Sequence, residues 1–164
     1  MSDAPPDNSL LPHARDVLVQ LHKAGLVAPN PDLTAKLLQP RDEDYAKVFD
    51  AATALGMQAA YGAAWASGQM AVMPKATQTG LLIAAASSDD LRAWNERARV
   101  FPGGYQDVAG HLVPGRTWIR WKFVVPGEHL GMAYDGMVWC DDHWAWFPKP
   151  WRALREFPPA VGEA

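Results

Sequence analysis

The chain has 164 residues, 49% of them apolar, and a formal net charge of −3. That length suits one domain that buries roughly 70% of its unfolded surface without needing cross-links. The charge lacks the basic footprint of a nucleic-acid binder, and a lone cysteine, Cys140, excludes an intramolecular disulfide and suits a reducing compartment.

The opening MSDAPPDNSLLP lacks the basic-then-apolar order of a secretory signal. The longest apolar stretch, 51–66, is alanine-rich, interrupted by Thr53, Gly56, Gln58 and Gly62, and short of the about 20 apolar residues a membrane span needs. The expectation is a soluble, cytoplasmic protein with no membrane partner. Residues 1–8 are expected as a disordered tail, 9–157 as a single α+β domain and 158–164 as a flexible tail, because neither end carries an apolar anchor.

Helical spacing of Leu11, Ala14, Val17, Leu18, Leu21 and Ala24 predicts a first helix, with Gly25 as its stop. A second begins at Asn30-Pro31-Asp32, where Asn caps and Pro fits the first helical position, and ends before Pro40. The third is predicted to start at Asp42, with Glu43 and Asp44 at the positive end of its dipole. It continues through the stripe Tyr45, Val48, Phe49, Ala52, Ala59, Ala60 and Ala63. A loop follows over 68–79, with a short strand at 70–73. The apolar run 79–86 reads as a strand. Ser87-Ser88-Asp89-Asp90 starts a helix to Arg99 with Leu91 and Trp94 inward, and Pro102-Gly103-Gly104 is a turn.

The remainder alternates with a period of two. Ile119, Trp121, Phe123 and Val125 share one face of a strand. Asp141-Asp142 separates two further strands as a tight turn, and Asp135-Gly136 reads as a bulge or bend. A two-residue loop at Asp141-Asp142 sets Trp139 opposite Trp144, Val138 opposite Ala145, Met137 opposite Trp146 and Cys140 opposite His143. Met137, Trp139, Trp144 and Trp146 then lie on one face. The predicted fold is α+β: N-terminal helices packed on a C-terminal antiparallel, tryptophan-rich sheet.

Six of the eight tryptophans fall at or after position 118. The expectation is that the tryptophan face is core, since burying such area drives folding; exposed, it would be a binding surface. The segment Phe147-Pro148-Lys149-Pro150-Trp151-Arg152 is expected as an extended, polyproline-like strap with Trp151 as its peg. The candidate binding residues are Trp139, Trp144, Trp146, Trp151 and Arg152, of types enriched at interfaces.

Catalytic and metal signatures are weak, and neither site is assigned. Cys140 and His143 meet across the turn with Asp141 or Asp142 at hand, the minimum for an activated thiolate. The same residues with His111, His129 or Asp135 offer metal ligands, but no second pair stands at zinc-like spacing. No phosphate loop, nucleophile elbow or H-E-x-x-H occurs. Arg116, Arg120, Lys122, Lys149, Arg152 and Arg155 are nearly balanced by Glu128, Asp135, Asp141, Asp142 and Glu156, which opposes a nucleic-acid groove. The function expected is a non-enzymatic protein-binding module of adaptor, inhibitor or immunity type, without cofactor, whose partner is another protein or a second copy. The alternative is a small-ligand binder or enzyme with an aromatic-lined pocket, to which Tyr134, Asp135 or His143 would lend polar groups.

Overall fold

The computed structural model describes residues 5–159. Four helices precede the sheet: α1 (Leu11–Val27), α2 (Pro31–Leu38), α3 (Asp44–Val48) and α4 (Ala54–Ala66). The expected cap of α2 is present, with the Leu33 N–H donating to Asn30 Oδ1 at 3.0 Å. Gly25 does not stop α1; it is buried inside it, where a Cβ would meet Pro74 and the Val72 carbonyl at 2.8 and 2.9 Å. The predicted third helix is two. Phe49 is extended and bridges Leu112, and Asp50 restarts the helical path by accepting from the Thr53 N–H. Asp42 caps neither piece.

The sheet is antiparallel, in the order β1-β2-β3-β4, from β1 (Gly80–Ser87), β2 (Thr117–Val124), β3 (Gly131–Trp139) and β4 (Trp144–Trp146). Segment 70–73 forms no strand. Between β1 and β2 lie α5 (Ser88–Ala93) and α6 (Tyr105–Val108). Ser87 and Asp90 form a reciprocal capping box at the predicted start of α5, but the helix ends at Trp94, which adopts φ +52, well short of Arg99.

The hairpin register is as expected: Met137 pairs with Trp146, Val138 with Ala145 and Trp139 with Trp144. Asp141 supplies the positive φ of the turn. The ladder slips at Gly136, the expected bulge, because Ile119 pairs with Met137 while Arg120 pairs with Asp135. Gly136 has φ +92, and a Cβ there would overlap the Phe147 carbonyl, so glycine alone fits.

Both faces of the sheet are covered. On one, Trp121, Phe123, Tyr134, Trp144 and Trp146 pack beneath α1 and the end of α4: His22 stacks on Phe123 and Trp65 meets Trp146 edge-on. On the other, Trp118 and Phe147 meet Phe49, Tyr45, Tyr61 and Tyr105. Trp118, Trp121, Phe123 and Phe147 are completely buried. Edge-on aromatic packing of this kind adds to what burial alone contributes.

The C-terminal strap differs most from expectation. Residues Pro150–Glu156 form a helix, α7, not a polyproline path. Pro150 takes the first helical turn, where its missing N–H costs nothing, and Lys149 reverses the chain with φ +48. Of the expected N-terminal tail, residues 1–4 lie outside the described residues, whereas Pro6 is buried and the Asp7 N–H donates to Thr117 Oγ1 at 3.0 Å. Of the expected C-terminal tail, 160–164 lie outside them.

Candidate functional site

The five binding candidates do not form one surface. Trp144 and Trp146 are each 4% exposed and belong to the core. Trp139 is half-buried between Trp144 and His13. Trp151 is half-buried against Gly104 and the Tyr105 ring, at 5.3 Å. Arg152 alone of the five is exposed. The tryptophan face is therefore core. Four indole N–H groups, those of Trp65, Trp118, Trp121 and Trp144, are buried without a hydrogen bond among the described residues.

What the structure does bring together is a cleft of about 510 Å³ beside β3. It exists because β4 has three residues and β3 nine: β4 pairs with Met137–Trp139 and stops, which leaves the outer edge of residues 131–135 without a strand neighbour. The gap is walled instead by α4, the segment around Met70–Met73 and α7. Tyr61, Tyr134 and Trp146 supply aromatic surface, and Met70, Met73 and Met132 supply adaptable apolar surface. Lys149, Arg152 and Glu156 line it with exposed charges. Hydrogen bonds brace the walls. Tyr61 Oη donates to the Pro148 carbonyl at 2.8 Å, and Tyr134 Oη accepts from the Met73 N–H at 2.9 Å.

Asp135 is the polar centre of this cleft. It is 4% exposed, placed by the Gly136 bulge, and its backbone carbonyl accepts from Trp146 Nε1 at 2.8 Å. Oδ1 accepts from Tyr105 Oη at 2.6 Å and from the Lys149 N–H at 2.9 Å. Oδ2 has no hydrogen-bond partner among the described residues. Burial pushes this carboxyl above the usual aspartate range, outweighing its two hydrogen bonds and the charges of Lys149 and Arg152. Burial and the Asp135 charge in turn hold Tyr61 and Tyr105 well above the ordinary tyrosine range. Arg120, opposite Asp135 in the ladder, makes no ion pair with it, and its Nε and Nη1 are buried without partners among the described residues.

Cys140 and His143 face each other across the turn as expected, with the Cys140 N–H donating to the His143 carbonyl at 2.8 Å. The thiol is not activated. Burial and the Asp44 charge push it up to about 12, against the pull of Arg116 and Lys47. The third member of this group is Asp44, read from sequence only as part of a helix start. It is completely buried, and its Oδ2 sits 2.7 Å from His143 Nε2. His111 and His129 take no part, since His111 pairs with Asp50 at 3.0 Å.

The sequence pointed to Tyr134, Asp135, Trp146 and Arg152 but missed their neighbours in the cleft. Tyr61 was hidden in an alanine-rich helix, and Met70, Met73 and Lys149 in segments with no periodic pattern to orient them. No family model, no curated protein and no solved structure matches this chain.

Proposed function

We propose that this protein binds a small molecule in the cleft between β3, α4 and α7. The observation that carries the reading is Asp135: a buried carboxylate with one committed oxygen and one free, in a cleft of aromatic and methionine side chains. A volume near 510 Å³ falls within the roughly 300–1,000 Å³ usual for ligand sites, and few convergent polar groups amid apolar walls are their usual chemistry. The complementary ligand has a flat or branched apolar body and an amine or amide N–H directed at Asp135 Oδ2. A carboxyl raised by burial in a cleft supports the same reading. The candidate tryptophans are largely spent in the chain's own core, which weighs against them as a docking platform.

A fragment library of such amines and amides, titrated against the intrinsic fluorescence of Trp146, tests this. Asp135→Asn keeps an acceptor for Tyr105 and Lys149 and turns only the free oxygen into a donor. It should weaken amine-bearing fragments about tenfold or more. Ala64→Phe, which fills the cleft from α4, should abolish binding. No saturable fragment, or binding indifferent to both changes, contradicts the proposal.

A second reading concerns self-association. β1 is an eight-residue edge strand without charge, proline or bulge, and no backbone bond among the described residues reaches 80–86 except from β2. Edges of this kind pair with other strands unless blocked. A second copy, joined β1 to β1, continues the sheet. Sedimentation should show a concentration-dependent dimer that Leu82→Lys, at an exposed edge position, returns to monomer. A wild-type monomer at every concentration rejects it.

A further inference from the structure

A second cluster lies away from the cleft, where α3 meets the β3–β4 turn. The donor atoms of Asp44, Cys140 and His143 all lie within 4.8 Å of one another. A tetrahedral ion with bonds of about 2.0–2.3 Å requires donors about 3.3–3.8 Å apart, so modest side-chain shifts suffice. We propose that Asp44, Cys140 and His143 form a binding site for one borderline-soft divalent cation of the zinc class, with a fourth position for water.

Three independent features point to an ion. Asp44 Oδ1 is buried with no hydrogen bond among the described residues, Lys47 Nζ lying 3.8 Å away, and Asp44 itself is 0% exposed. A buried carboxylate oxygen left without a bond is costly, and a metal ligates such an atom. Asp142 Oδ1 holds His143 Nδ1, the arrangement that fixes a ligating imidazole and leaves Nε2 for the metal. Thiolate, imidazole and carboxylate together suit zinc or cobalt rather than magnesium or calcium.

Without an ion, His143 lies between two carboxylates, Asp142 at Nδ1 and Asp44 at Nε2. On binding, the ion takes Nε2 in place of its contact with Asp44, the Cys140 thiol ionises, and its proton leaves to solvent. At the rim, Asp142 pairs with Arg41, and Asp141 with Lys47 and Arg116. Entry is from the His143 side, as the only one of the three not wholly buried. The bound ion clamps α3 to the hairpin turn.

Cobalt(II) titration of chelator-treated wild-type protein tests the assignment. Expected are a thiolate-to-cobalt charge-transfer band and visible bands of four-coordinate intensity, saturating at one ion per chain and displaced by zinc. Cys140→Ser should abolish the charge-transfer band. Asp142→Asn, on the exposed rim and so safe for folding, should weaken zinc about 10–100-fold while the thiolate band persists. No charge-transfer band in the wild type overturns the proposal, as does a band that survives Cys140→Ser or zinc affinity unchanged in Asp142→Asn.

Discussion

Asp90 and Asp135 are both buried carboxylates, and they should respond to pH with opposite signs. Burial alone would raise Asp90, but the Arg97 guanidinium, the Ser87 N–H and Asn95 outweigh it and hold its carboxyl below the usual range. A lowered folded-state value means its stabilisation is present above the unfolded-state value and lost as pH falls through the folded one. Asp90→Asn should therefore lower the thermal midpoint at neutral pH, with the gap closing in strong acid. Asp135 is raised by burial, so its contribution is full below the unfolded-state value and lost as pH rises through the folded one. Asp135→Asn should raise the midpoint at neutral pH and not in acid. Melting curves of both variants across pH check the two signs. A neutral-pH loss in Asp135→Asn would show that its charge is well accommodated and weaken the case for a functional strain there. The indoles of β4 offer a second contrast. Trp146 Nε1 bonds the Asp135 carbonyl, whereas Trp144 Nε1 is buried without a partner among the described residues. Trp146→Phe should cost about 1–3 kcal/mol more than Trp144→Phe in denaturant unfolding, the range for breaking a buried hydrogen bond. Equal costs would contradict this.

At the scale of elements, legibility followed locality. The register of the β3–β4 hairpin was readable because two turn residues and strict alternation fix it, and the Gly136 bulge because Asp-Gly signals positive φ. The break between α3 and α4 was not, since it depends on Phe49 pairing with Leu112, far along the chain. The helix at the strap is not legible from sequence because Pro148 and Pro150 look alike there. Only the reversal at Lys149 makes Pro150 the start of a helix. That helix is docked: Ala153 is buried, and a Cβ on Gly104 would overlap the Trp151 ring. Gly104→Ala should cost about 1–3 kcal/mol by overpacking. Truncation after Phe147 removes α7 and the Lys149 amide that holds Asp135. The shortened protein should melt lower and expose its tryptophans to quencher. An unchanged melting curve with unchanged quenching would show that α7 is not part of the fold's support.

For the whole molecule, the α+β architecture was legible from periodicity, but that both sheet faces would be covered was not. Period-two alternation marks one apolar face, and β2 carries Trp118 and Val124 opposite Trp121 and Phe123, all buried. The cleft was legible only in its parts, because its shape comes from the unequal lengths of β3 and β4. No helix among the described residues is long and apolar enough to cross a membrane. The most direct test of ligand binding uses the methionine methyl groups as reporters. Met70, Met73 and Met132 line the cleft, while Met57 and Met137 are buried outside it. Methyl-resolved magnetic resonance of the wild type, titrated with the strongest amine fragment, should shift the first three and leave the last two. Shifts confined to Met57 or Met137, or none at saturating fragment, would contradict the account.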